Sequence, residues 1–324
     1  MKNTINKNKT FVPVAPLMGF PGIQITQTTI QQNLENEDIQ FSTLHALYDK
    51  FHPNFMFCMM DLSVEAEALG IKILKLKNHP YTVIDHPIKD MLDLGLLKIP
   101  NPLKDGRMNI FLKVIRKMKN NMHCPVVAYV IGPYTLTGLM SGAGWTLKNT
   151  IKNPELINKF LKFSFEVINI YCRALIDSGA DYICVLEPTT SGLSPKQYSE
   201  FSGKYIKKLK NKHHVPFILH ICGDTSALIK EMIKTDCDGI SLDSQVNLPE
   251  ISKDVPENIL ILGNVDPVRV ITFGEVDEVE KVVKSLLEGM KDRDNFILST
   301  GCDLPPNSKL PNIKCMFEIA KKYK

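Results

Sequence analysis

The stretch PFILHICGDT, residues 216–225, ends an apolar run in His220 and Cys222. In a β-strand, residues i and i+2 point to the same face, so this imidazole and thiol project together while Ile221 faces apolar packing. A third metal-capable side chain, Cys302, stands in ILSTGCDLPP at the end of another apolar run. One histidine and two cysteines make three ligands with a fourth position open, the pattern of a catalytic zinc rather than a structural one. The alternative at this point is plain core, since an unpaired cysteine packs as a small hydrophobe.

Other groups with chemical capacity close other apolar runs: Asp61, Gly132 with Pro133, Glu187, Asp243, and Asn264 with Asp266. Glu187, in CVLEPTTSG, is a candidate fourth ligand or catalytic base, or else an ordinary loop carboxylate. Asp61 and Asp243 are candidates to accept the second ring N–H of His220 and so orient it. Asn264 and Asp266 either meet a cofactor or pin the loop that follows them. Asp224 reads as a cap for the helix that begins in TSALIKEMI.

These residues need elements to hold them. Eight short apolar runs, FVPVAPLM, FMFCMMD, VVAYVIG, YICVLE, FILHIC, GISLD, ILILGN and NFILST, have the continuous apolar character of strands covered on both faces. Helix-length amphipathic segments separate most of them. In NPELINKFLKFSFEVINIYCRALIDSGA, Pro154 suits a first turn and Gly179 a C-terminal cap. Eight strands alternating with helices predict an α/β fold, a single (β/α)₈ TIM barrel over residues 1–324. Residues 70–105, rich in turn signals such as NHP and DHP, read as an irregular insertion after the second strand. Active sites of such barrels lie at the C-terminal ends of the strands, where the polar residues above cluster.

Composition narrows the partners. A net charge of +4, carried by lysines scattered along helices as in KYIKKLKNKHH, gives no basic stripe for nucleic acid. No apolar run reaches membrane-spanning length, and no apolar segment of a signal peptide follows the basic MKNTINKNKT. The eight cysteines are dispersed and several sit in apolar runs, so they read as reduced thiols of a cytoplasmic protein.

Four segments carry a resemblance. DLSVEAEALG, IGPYTLTGLMSG, LGNVDPVRV and STGCDLPPN are similar to signature regions of the uroporphyrinogen decarboxylase superfamily. The pairing of H-x-C with a distant G-C-D resembles its methylcobamide:coenzyme M methyltransferase branch. That resemblance implies that His220, Cys222 and Cys302 bind Zn²⁺, which in turn binds an acceptor thiol, most simply coenzyme M. The methyl donor would be a methylated corrinoid on a separate protein, because the chain lacks the D-x-H-x-x-G signature of such carriers. GLMSGAGW, with three glycines and Trp145, is then either a flexible loop that meets the corrinoid ring or a packed turn. The decarboxylases themselves carry an Arg-rich R-Q-A-G-R-Y segment near the first strand. This chain has PLMGFPGIQ there, without arginine, so decarboxylation is the second reading. Homocysteine or a folate as acceptor is a further alternative.

Overall fold

The computed structural model describes residues 11–323; the basic MKNTINKNKT segment lies outside the described residues. Its strands are β1 (Met56–Phe57), β2 (Ile73–Leu74), β3 (Thr82–Val83), β4 (Val126–Ile131), β5 (Tyr182–Leu186), β6 (Phe217–Ile221), β7 (Gly239–Leu242), β8 (Leu260–Val265) and β9 (Phe296–Thr300). Seven of them form one sheet in the order β1-β4-β5-β6-β7-β8-β9, with every neighbouring pair parallel. All residues of β4, β5, β6, β7 and β9 are buried, as strands sandwiched between an interior and a helical coat must be.

The first apolar run departs from expectation. It contributes a single bridge, Val14 to Leu298, instead of an eighth strand. Pro13 and Pro16 carry no N–H, so only Val14 and Ala15 between them are able to pair. They do so on both sides. Leu298 N donates to Pro13 O at 2.9 Å and Ala15 N to Leu298 O at 2.9 Å, while Asn54 N donates to Val14 O at 2.8 Å. The Asn54 side chain returns the bond, its Oδ1 accepting from Val14 N at 2.7 Å. Residues 13–15 thus stand between β9 and the start of β1 and close the barrel.

The helices follow their sequence signals. Pro154–Asp177 begins with Asn153 accepting from Leu156 N, and the chain leaves it through Gly179 at φ +108°. The residue 194–212 segment opens on a Ser194/Gln197 capping box and contains a wide turn, Ser199–Gly203, before Lys204–Lys212. The insertion at residues 70–105 holds the antiparallel β2–β3 pair and one short helix, Met91–Leu96. It docks through Ile88 N to Met140 O at 3.1 Å and His86 Nδ1 to Leu139 O at 2.6 Å.

A buried carboxyl ties the second βα connection to the sheet. Glu65, in the helix Val64–Ala68, is 1% exposed and its Oε1 accepts from Ile131 N at 2.9 Å. Burial pushes its pKa up to about 8, reinforced by the Asp61 charge and opposed by the Ile131 amide and Arg107. A carboxyl whose folded pKa is raised stabilises the fold fully below its ordinary value of 4.5 and loses that contribution as pH rises through about 8. Glu65→Gln keeps an acceptor for Ile131 and removes the titration. Urea unfolding of the two proteins across that pH window is expected to show the variant gaining steadily on wild type. A constant difference would mean that Glu65 titrates normally.

Candidate metal centre

Strand β6 carries His220 to the interior at its C-terminal end, where the residue is 1% exposed. Its Nε2 lies 3.1 Å from Cys222 Sγ, Cys222 Sγ lies 3.2 Å from Cys302 Sγ, and Cys302 Sγ lies 3.6 Å from Nε2. Among the described residues, this is the group of three or more His, Cys, Asp or Glu side chains whose ligand atoms all fall within 4.8 Å of one another. The second ring nitrogen, Nδ1, is 3.0 Å from Ser241 Oγ. The β6–β7 register sets that contact, because His220 pairs directly with Ser241. The orienting partner is therefore a serine hydroxyl, and the expectation that Asp61 or Asp243 fills this role is corrected.

Two glycines allow the thiols to meet. Gly223 turns the chain after Cys222 at φ +87°, a conformation that side chains disfavour, and its N–H donates to Asp243 Oδ2 at 3.0 Å. Asp243 thus serves the site by pinning the backbone beside Cys222. Gly301 precedes Cys302 and bonds through its N–H to Val265 O at 2.8 Å. A Cβ on Gly301 would collide with the backbone of Asp243 and Ser244, so only glycine lets the end of β9 approach the β7 loop.

The thiols differ in proton affinity. Contact with Cys302 holds the Cys222 thiol below its ordinary range, against the effect of burial. The Cys302 thiol is raised by the same contact and by burial, with His220 opposing. Asp303, half-buried beside them, has its carboxyl pushed well above the usual range by burial and then by the charge of Cys302.

Glu187 closes β5 and is 0% exposed, which removes the loop-carboxylate reading. Its Oε1 accepts from Tyr134 N and Ser202 Oγ, each at 3.1 Å, and its Oε2 from Thr135 N at 2.9 Å and Thr135 Oγ1 at 2.7 Å. Burial raises its pKa to about 7 while these donors pull it back. The carboxylate holds the start of the helix Pro133–Ser141 and is not among the side chains that converge with His220.

The remaining candidates also serve architecture. Asp61 Oδ2 accepts from Arg107 NH1 at 2.6 Å, and its Oδ1 accepts from Ser63 N and Oγ. Asn264 Nδ2 donates to Asp243 O and Val246 O, pinning the loop after β7. Asp266 Oδ1 caps the turn Pro267–Phe273 by accepting from Val268 N and Arg269 N. Asp266 pins the loop that follows it, as expected, whereas Asn264 pins the preceding loop, the one after β7. GLMSGAGW is no flexible loop: it belongs to two helices, Pro133–Ser141 and Ala143–Lys152, broken at Gly142. Trp145 packs its ring against Phe160 at 5.6 Å, with Lys89 Nζ over its face at 5.8 Å. Asp224 Oδ1 accepts from Ser226 N at 3.0 Å, but the turn Ser226–Leu228 takes Thr225 as its N-cap, so Asp224 supports the turn from one residue outside the expected cap position.

Sequence reasoning passed over Ser241 and Arg107. Alternation along GISLD places Ser241 on the same face as Asp243, but its facing His220 depends on register. Arg107 pairs with Asp61 across 46 residues, a separation that no local pattern reveals.

Comparison with known proteins bears on what the arrangement does. The uroporphyrinogen decarboxylase (URO-D) family model matches residues 7–323. The chain belongs to this family. It is 30% identical over 329 residues to a methylcobamide:CoM methyltransferase, MtbA, of Methanosarcina acetivorans, covering 95% of each chain. A uroporphyrinogen decarboxylase of Prochlorococcus marinus is 29% identical over 308 residues, covering 91% of this chain and 87% of its own. A solved methyltransferase from Methanosarcina mazei superposes with a TM-score of 0.90 over 99% of this chain and 97% of its own, at 23% identity, which establishes the shared barrel fold.

Gly132 meets Glu187 so closely that a Cβ there would overlap the carboxyl group. Gly132→Ala is expected to destabilise the fold by about 1–3 kcal/mol, as overpacking of a filled core does. Chemical denaturation measures this, and an unchanged midpoint would show that Glu187 yields freely.

Proposed function

We propose that this chain is a zinc-dependent methyltransferase that moves a methyl group from a methylated corrinoid to a thiol, with coenzyme M as the acceptor. The observation that carries the reading is the convergence of His220, Cys222 and Cys302 within 4.8 Å. Two thiols and an imidazole, held from two strand ends with the second ring nitrogen already engaged by Ser241, fit a tetrahedral site that keeps one position open. A zinc ion held there would supply Lewis acidity and draw an incoming thiol into its nucleophilic thiolate form. The site lies at the C-terminal ends of the strands, the catalytic face of such barrels.

The chain's own residues prepare that chemistry. Cys222 and Cys302, with sulfurs 3.2 Å apart, would supply the two thiolate ligands. Ser241 keeps Nε2 of His220 turned to the sulfurs. Glu187 and Asp61 act through others: Glu187 sets the helix Pro133–Ser141 beside the mouth, and Asp61 sets Arg107. The relatives named MtbA use methylcobamide and CoM by name, which supports a corrinoid donor and a coenzyme M acceptor here. A separate protein is the natural carrier of so large a donor.

The decarboxylase reading is weaker on two counts. The chain has no arginine before Arg107 to hold substrate carboxylates. Arg107 itself is buried, with its guanidinium engaged by Asp61 and by Glu67 at 2.5 Å.

Zinc per chain, and thiol-dependent demethylation of methylcobalamin followed by the cobalt absorption, test the reading directly. About one zinc and faster demethylation with coenzyme M than with homocysteine are expected. Absence of zinc together with turnover of a porphyrinogen would overturn it. Cys222→Ala and Cys302→Ala are expected to lose the metal, whereas Cys184→Ala, buried within β5, keeps it. Ser241→Ala is expected to weaken zinc binding by about 10–100-fold, the usual effect of losing a ligand's orienting partner. Zinc titration against a competing chelator reads both.

A further inference from the structure

Of the buried side-chain polar atoms without a partner among the described residues, the Tyr129 hydroxyl is on a strand of the sheet that carries the site. Tyr129, on β4, is 7% exposed, and among the described residues its hydroxyl oxygen makes no hydrogen bond. Folded proteins rarely leave a buried hydroxyl unsatisfied unless something outside the chain completes it. The orientation of the side chain follows from register. Tyr129 pairs with Cys184, and Cys184 with Ile218; two residues along, Ile131 pairs with Leu186, and Leu186 with His220. Paired residues of parallel strands share a face, and so do residues two apart. Tyr129 therefore points to the same side as His220, whose Nε2 reaches Cys302 across the interior.

The ring is not free to seek another partner. It stacks on Phe57 at 5.5 Å between centroids, with 23° between planes. The charges that act on the phenol are those of Cys184, Asp303, Cys58 and Cys302, in keeping with a side chain turned to the interior that Cys302 borders. Burial and those neighbours push the phenol pKa well above its ordinary value, so it remains a donor throughout the working pH range.

We propose that Tyr129 is a positioning residue for the acceptor, its hydroxyl donating a hydrogen bond to the sulfur of the thiol bound at His220, Cys222 and Cys302. The assignment rests on the functional reading above and adds to it the group that orients the nucleophile. Cys302 belongs to the ligand set, and the part of an acceptor that approaches it is the sulfur. A hydrogen bond to the charged form of a group favours that form, so Tyr129 also makes the bound thiol more acidic.

Tyr129→Phe removes the hydroxyl and keeps the stack on Phe57. Calorimetric titration of the zinc-loaded proteins with ethanethiol and with 2-mercaptoethanesulfonate, over a series of pH values, tests the assignment without methyl transfer. Zinc content and the unfolding midpoint are expected to stay unchanged. Affinity for both thiols is expected to fall about tenfold, the effect of one hydrogen bond to a charged group, with the pH midpoint of binding displaced upward. Unchanged affinity overturns the proposal, as does a loss confined to 2-mercaptoethanesulfonate, which would place the hydroxyl at the acidic tail. Loss of zinc in the variant also overturns it, because Tyr129 would then support the ligands themselves. If zinc-loaded wild type takes up neither thiol, the functional reading fails, and this inference falls with it.

Discussion

The mouth of this barrel depends on its closure by a strand that barely exists. Residues 13–15 bond to Leu298 on one side and to Asn54 on the other. Ser299 Oγ donates to Ala15 O at 2.8 Å and Leu17 N to Thr300 Oγ1 at 3.0 Å, so side chains extend what the backbone leaves short. Those contacts hold the last residues of β9, immediately before Gly301 and Cys302. The sheet between β6 and β9 must curl for Cys302 to face Cys222, and closure maintains the curl. Two prolines set this arrangement by limiting the run to two usable N–H groups.

Around His220, Cys222 and Cys302, polar side chains spend their hydrogen-bonding capacity on backbone. Asp243 holds Gly223, Asn264 holds the loop carrying Asp243, and Asp266 caps the turn after β8. Glu187 collects four donors from two helical segments. The strand ends thus form a chain of supports in which each acid steadies the next loop. A buried carboxylate with several donors retains its charge more readily than an unpartnered one, but burial still dominates for Glu187.

Much of this was legible in the residues and some of it was not. The buried strands announced themselves because both faces are covered, which leaves runs such as VVAYVI without polar alternation. The convergence of His220 and Cys222 was legible because i and i+2 share a face, and that of Cys302 because barrel sites collect strand ends. FVPVAPLM read as a strand by hydropathy, yet proline chemistry reduced it to one bridge. Trp145 and its glycines read as a loop because glycine usually breaks helices; here Gly138 and Gly144 lie within helices and only Gly142 interrupts them. Asp61 and Ser241 show the remaining limit. A strand-end aspartate looks more chemical than a mid-strand serine, and only three-dimensional register, His220 against Ser241, reverses that ranking.

The serine has a consequence for charge. Under the proposed zinc reading, two thiolates would balance the divalent ion, and the neutral Ser241 hydroxyl behind His220 would add nothing to the sum. An aspartate in that position would make the assembly a net anion in a place where His220 is 1% exposed and Cys222 and Cys302 are half-buried. Removing net charge from water is strongly unfavourable without a counter-ion. No cation is needed here, and Arg107, at home with its two acids, remains committed elsewhere. The ion with its three side chains would carry no net charge, so the anion that arrives at the open position would be the first charge its surroundings have to offset.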